Sequence, residues 1–279
     1  MNKSDTADRE EKPVALLTGA SRGIGHASAI RLARAGYDLV LTGRSVRQPA
    51  AHGRHLLKGT LEEVASEVRT LGVATVVAEL DLLDIESIER AVDQGLERFG
   101  RVDVVVHSAT FIAPGMEDEL LTLPLDGLED SLRANVVGTT RLAQRVLPGM
   151  LERGHGVWIS LVSGASVLDP PHPANRGGWG FQYAAQKAAL YRLAGVLNTE
   201  YGKRGVRAYN LQPGIVATEV LRASLGTDGP LEQAWGAAPP EVPAAVIEWL
   251  IRHDVAGKHL GAGVHAQRLC EELGLLAAS

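Results

Sequence analysis

The chain has 279 residues, 45% of them apolar and 22% charged, with a net charge of −5. That length and apolar content suit one large α/β unit, and the acidic balance excludes the basic field that grips nucleic acid. The lone cysteine, Cys270, excludes an internal disulfide and points to a reducing, cytoplasmic setting, and no apolar run approaches the ~18 residues that span a bilayer.

Residues 1–12 are polar and charged, with no apolar segment, and are expected to form a solvated tail. Residues 13–279 are expected to form a single domain. A strand is predicted over 14–18 (VALLT), followed by the glycine-rich turn TGASRGIG at 18–25. A helix over 24–35 buries Ile24, Ala27, Ile30 and Leu32 and stops at Gly36. The second strand is 38–43, and 45–59 is irregular. The next helix, 60–71, opens with Thr60 and Glu63 at capping-box spacing.

A strand at 74–80, a helix at 85–98, a strand at 102–109 and a long helix at 125–152 follow. Asp84, directly before the helix at 85, fits its N-cap. Then come a strand at 156–162, a Pro/Gly-rich loop at 166–180, a helix at 181–203 and a strand at 206–213. Residues 219–241 read as a flexible segment. The two loop segments, 166–180 and 219–241, are expected to serve the substrate. The C-terminal stretch keeps a faint last strand and an amphipathic helix. The strand runs are near-continuously apolar, so both faces should be covered, as in a parallel sheet. Alternating strands and helices predict a doubly wound, three-layer α/β/α fold of Rossmann-like type.

Gly19, Gly23 and Gly25 lie between the first strand and a helix N-terminus. Glycines there admit a pyrophosphate to free backbone N–H groups and to the positive end of the helix dipole. The spacing is G-x3-G-x-G, and a tight turn without a ligand is the alternative.

In register across residues 14 to 218, the chain carries TGASRGIG, then Asp81 after the third strand and HSAT at 107–110. Asn135 in RANVVGT, a serine after the fifth strand, Tyr183-x-x-x-Lys187 and QPGIVAT at 212–218 complete the set. Together these resemble the short-chain dehydrogenase/reductase family. The resemblance implies a nicotinamide cofactor and hydride transfer between a carbonyl and an alcohol, with no metal. It also implies a homodimer or homotetramer paired through the helices at 125–152 and 181–203.

The turn residues Gly19, Ser21, Arg22, Gly23, Ile24 and Gly25 are expected to cradle the cofactor. At the end of the second strand an acid would hydrogen-bond the ribose 2′-hydroxyl of NAD, whereas an arginine suits the 2′-phosphate of NADP. Gly43 stands in place of the acid, and Arg44 and Ser45 follow, so with Arg22 nearby NADP(H) is expected over NAD(H). By resemblance, Asp81 and Leu82 meet the adenine, Ser108, Ala109 and Thr110 the ribose, and Pro213, Gly214, Ile215 and Thr218 the nicotinamide end.

Tyr183 can protonate the developing alkoxide, but a phenol's ordinary pKa near ~10 is high for that work. Lys187, one turn along the same helix face, is expected to lower it. The resemblance adds that Lys187 holds the ribose hydroxyls. It also implies that a serine hydrogen-bonds the substrate oxygen. Ser163, at the strand's C-terminal end, fits that role better than Ser160, which reads as a buried strand hydroxyl. Asn135, placed mid-helix, is expected to support a proton relay.

The chain departs from the family in three places. HSAT replaces the Asn-Asn-Ala-Gly often found there, and His107 is expected to be a strand-end histidine satisfied by backbone groups. The Ser163–Tyr183 gap and the stretch 45–59 are both long. Phe111, Val167 and Trp179 are expected in an apolar substrate pocket. The alternatives are a non-catalytic NADP(H)-binding sensor or scaffold, or an epimerase or dehydratase using the same site.

Overall fold

The computed structural model describes residues 12–49, 51–52, 55–225, 231, 236–261 and 263–276. The apolar runs become the centre of the sheet. Strand β1 (Val14–Thr18) is buried along its whole length and pairs in parallel with β2 (Asp38–Gly43) on one side and β6 (Val104–His107) on the other. A seven-stranded sheet follows, in the order β5-β2-β1-β6-β7-β8-β9, with β5 (Thr75–Glu79), β7 (Gly156–Leu161), β8 (Val206–Gln212) and β9 (Gly263–His265). All its pairings are parallel, as continuous apolar strands require. The faint C-terminal strand is real but short, pairing only with Asn210–Gln212.

The two faces feed two cores, divided by strand alternation. Ala15, Leu17, Val104, Val106, Val157 and Ile159 face helices α1 (Gly23–Arg34), α2 (Leu61–Arg69), α8 (Glu241–Arg252) and α9 (Ala266–Leu273). Leu16, Val105, Trp158 and Ala208 face the opposite layer, α3 (Ile85–Phe99), α5 (Thr139–Arg153) and α6 (Phe181–Tyr201). The doubly wound, three-layer reading therefore holds. Thr60 and Glu63 form the expected capping box, and the Asp84 carboxylate accepts from the Glu86 and Ser87 N–H groups. Gly36 follows α1 at φ 89°, a left-handed turn that favours glycine.

The long helix expected over 125–152 is interrupted. It divides into α4 (Leu125–Leu132), a π-helical turn (Arg133–Gly138) and α5. A Cβ on Gly138 would lie 2.3 Å from the Leu82 carbonyl oxygen, so the turn packs backbone against the loop after β5. The stretch 45–59 contains a minimal hairpin, β3 (Ala51–His52) with β4 (His55–Leu56). Loop 166–180 begins at the last residue of the 3-10 turn Gly164–Ser166 and holds a second short 3-10 turn at Ala174–Arg176. The segment 219–241 begins as helix α7 (Glu219–Leu225), and Val216 bridges to Ala238. The expected tail, apart from Lys12, and residues 226–230 and 232–235 lie outside the described residues.

Candidate functional site

The strand order reverses between β1 and β6, and a doubly wound sheet opens a crevice at such a switch point, beyond the carboxyl ends of its strands. A cleft of about 500 Å³ lies there. Its wall runs from the glycine turn, past Arg44, Ser45, Asp81 and Leu82, to Ser108–Phe111, Tyr183, Lys187, Pro213 and Thr218.

The turn fits a pyrophosphate on its own geometry. Gly19 has φ 66°, and a Cβ on it would come within 3.0 Å of the Ala109 backbone. Gly25 packs more tightly still, its Cβ position lying 2.2 Å from the Gly19 carbonyl oxygen. Helix α1 has no side-chain cap and no acid in its first turn. Its first N–H groups thus remain available to an anion.

Across the switch point, Thr18 joins β1 to β6. Its Oγ1 accepts from the Ser108 and Ala109 N–H groups, both at 3.1 Å. The same hydroxyl bonds His107 Nδ1 at 3.0 Å, and His107 Nε2 bonds Thr139 Oγ1 at 2.9 Å. Thr139 donates to the Asn135 carbonyl, so the network assigns the imidazole proton to Nε2. Burial, with Lys187 adding, pushes the His107 pKa down to about 3. His107 is thus a neutral strut between two hydroxyls; the expectation that backbone groups satisfy it is corrected.

Asp81 Oδ1 accepts from the Leu83 N–H and stays in the cleft wall, leaving the capping of α3 to Asp84. Arg22 is held by three hydrogen bonds, to the carbonyls of Lys58 and Gly59 and to Ser45 Oγ. Arg44 lies with its guanidinium carbon 6.0 Å from the centroid of the Phe111 ring. Phe111 therefore stands opposite Arg44 within the cleft rather than apart with the loop residues.

Tyr183 and Lys187 occupy successive turns at the start of α6. Burial raises the Tyr183 pKa, and a hydrogen bond with Ser163 opposes it. Lys187 Nζ donates to the Leu161 carbonyl at 2.9 Å and to Thr110 Oγ1 at 3.2 Å. Burial depresses its own pKa to about 8. Burial outweighs the Ser163 bond at the phenol, and the Lys187 ammonium turns to the strand end. Ser163 also caps the 3-10 turn Gly164–Ser166, whose Ser166 Oγ donates to the Lys187 carbonyl. Ser160 is the buried strand hydroxyl expected, accepting from Trp158 Nε1.

Asn135 sits in the π turn, not in a regular helix as expected. Its Oδ1 accepts from the Phe111 N–H at 2.8 Å, and its Nδ2 donates to the Phe111 carbonyl at 2.9 Å. The same amide donates to the Ser131 carbonyl and to Gln186 Oε1, which also accepts from Ser131 Oγ. Gln186 is a site residue that motif reading missed. The available signal was two glutamines, Gln182 and Gln186, spaced one turn apart in an alanine-rich helix, both buried.

The remaining expected residues lie at the edges. Gly214 has φ 77° and abuts Gln267, whose Nε2 donates to the Ile215 carbonyl. Ile215 is exposed, Val167 is 61% exposed, and Trp179 is part-buried with Nε1 lacking a partner. None of these three lines the cleft wall. Among the described residues no cluster of metal-ligating side chains exists, and no helix is long and apolar enough to cross a membrane.

Comparison with known proteins places this geometry. The family model described as short chain dehydrogenase matches residues 13–228. An uncharacterized NAD-dependent oxidoreductase of Mycobacterium tuberculosis is 32% identical over 211 residues, covering 75% of this chain and 73% of that one. An L-rhamnose 1-dehydrogenase (NAD(P)(+)) of Sphingomonas is 30% identical and covers 77% of each chain. Among solved structures, an alcohol dehydrogenase of the archaeon Thermococcus sibiricus, complexed with 5-hydroxy-NADP, superposes with a TM-score of 0.71 at 29% identity. That match covers 91% of this chain and 94% of the other.

Proposed function

The chain belongs to the short-chain dehydrogenase family of oxidoreductases, and from that premise we propose that it is an NADP(H)-dependent enzyme interconverting a ketone or aldehyde and an alcohol. The observation that carries this reading is Tyr183 and a buried Lys187 together in the wall of a cleft that begins in the glycine turn. A bound nicotinamide supplies or accepts the hydride; the chain's own residues manage the proton. In reduction, Tyr183 gives its phenolic proton to the oxygen that gains charge, and Ser163 donates a hydrogen bond to the same oxygen. Lys187, still charged below a pKa of about 8, stabilises the phenolate left behind. Asn135 supports the relay by fixing the Phe111 backbone and the π turn.

The preference for NADP(H) rests on Arg22 and Arg44 converging on one end of the cleft, with Gly43 where an acid would discriminate for NAD. Arg44 depresses the Arg22 pKa further after burial, while Glu219 opposes both. Two nearby guanidiniums favour an anion between them, and a 2′-phosphate is one.

The substrate is read as neutral and apolar. Ile112 lines the cleft, and Val167, Leu168 and Ile215 expose apolar surface on the loops after β7 and β8. Exposed Leu125, Val137 and Val196 on the α4–α5 and α6 helices suit pairing of two or four subunits. The single buried thiol, Cys270, suits a cytoplasmic setting. The test is Tyr183→Phe assayed with NADPH against a panel of ketones: turnover is lost if the reading is right, and undiminished turnover overturns it.

A further inference from the structure

The stretch 45–59 is longer than the family resemblance leads one to expect, and the structure brings its far end back to the cofactor cleft. Its first two residues are fastened to the start of α2: the Leu61 N–H donates to the Ser45 carbonyl at 2.8 Å, and the Glu62 N–H to the Val46 carbonyl at 3.1 Å. Leu57 and Ser45 are buried. Gly59 has φ 95°, and a Cβ on it would stand 2.4 Å from the Ser21 carbonyl oxygen. The stretch therefore closes directly onto the glycine turn, and only glycine allows that approach.

The guanidinium of Arg22 is the beneficiary. Nε donates to the Lys58 carbonyl at 3.1 Å, and Nη2 donates to the Gly59 carbonyl at 3.0 Å and to Ser45 Oγ at 2.9 Å. All three acceptors belong to this one stretch. They fix one edge of the planar fork. Nη1 has no hydrogen-bond partner among the described residues, and Arg22 lines the cleft beside Arg44. Arginine side chains carry much rotamer freedom, and a fork already held in place loses less of it on binding.

We infer that Ser45, Lys58 and Gly59, at the two ends of this stretch, set cofactor discrimination in this chain by locking Arg22 in the pose that meets a 2′-phosphate. The role belongs to a backbone loop, with Gly59 as its closing residue, and extends beyond the two arginines themselves. The inference rests on the NADP(H) reading given above. Lys58 and Gly59 act through Arg22 and are positioning residues. Without them Arg22 remains a cation near the site, but a mobile one.

The experiment is calorimetric titration of the full chain with NADP⁺, with NAD⁺ and with 2′,5′-ADP, which isolates the phosphate-bearing end. For the wild type NADP⁺ binds more tightly than NAD⁺. Gly59→Ala, which forces the loop away from Ser21, raises the Kd for NADP⁺ and for 2′,5′-ADP by about tenfold, the size of one charge-assisted hydrogen bond. Its Kd for NAD⁺ stays within about twofold, because NAD⁺ lacks the group that Arg22 meets. Should Gly59→Ala fail to fold, Ser45→Ala removes one of the three bonds and is expected to shift NADP⁺ alone by about threefold. An unchanged Kd for NADP⁺, or an equal loss for both dinucleotides, overturns the locking role. A wild type that binds NAD⁺ more tightly overturns the NADP(H) reading itself, and the wild-type titration reports that separately from the variants.

Discussion

At the glycine-turn end of the cleft, backbone meets backbone: Gly25 lies under the Gly19 carbonyl, Gly19 against Ala109, and Gly59 against Ser21. On the loops after β7 and β8, outside the cleft wall, Val167, Leu168 and Ile215 stand exposed, and the buried Trp179 Nε1 has no partner. One end is rigid because its shape admits almost no side-chain atom, and the other is adaptable because little is packed there. A reaction shared by many relatives can rest on the first end while the choice of substrate varies on the second.

Tyr183→Phe removes the proton donor between the two ends. Turnover of a ketone with NADPH is expected to fall by about 10²–10⁴-fold, while circular dichroism reports the same fold. Lys187 gives an effect on stability of opposite sign. Its pKa is depressed from 10.5 to about 8, which corresponds to on the order of 3 kcal/mol against the charged form. Below pH 8 both folded and unfolded chains hold the proton, so that cost is present in full. As pH rises from 8 to 10.5 only the folded chain has lost it, and stability increases. Lys187→Met is therefore expected to be more stable than wild type at pH 7 by about 1–3 kcal/mol. Urea unfolding at pH 7 and pH 10 checks this: the advantage should shrink at the higher pH.

Arg44→Ala tests the rigid end directly. The Kd for NADP⁺ is expected to rise by about 10–100-fold, the loss of hydrogen bonds to a charged group, with a smaller change for NAD⁺. The smallest effect belongs to the other end. Leu168→Ser should alter stability by no more than about 0.5 kcal/mol, as exposed positions do. It should still raise KM for apolar ketones severalfold and leave cofactor affinity alone. A change in NADP⁺ affinity in Leu168→Ser would break the separation of the two ends.

The difference between the ends also governs what the amino-acid sequence discloses. Continuous apolar runs carry the parallel sheet, and the capping box at Thr60 and the cap at Asp84 are local, so each was legible from a few residues. The glycine turn was legible because its constraint is steric and leaves a residue type behind. Four features were not. The π turn at 133–138 reflects the approach of Gly138 to Leu82, a contact across the fold with no local propensity. The direction of Lys187, toward the Leu161 carbonyl rather than toward Tyr183, depends on where the end of β7 sits. The hydroxyl bonds of His107 depend on Thr18 and Thr139, which are far apart in the chain. Gln186 was hidden for a similar reason: its partners, Ser131 and Asn135, lie on another helical segment.

We propose that the cleft binds a phosphate-bearing nicotinamide cofactor and that Tyr183 protonates the reduced carbonyl beside it. The most direct measurement follows cofactor absorbance while wild type and Tyr183→Phe are offered a broad set of neutral ketones and alcohols, with NADPH and NADH side by side. Turnover is expected in the wild type, with NADPH favoured over NADH, and its loss in the variant. Faster turnover with NADH, or a variant as active as the wild type, would contradict it.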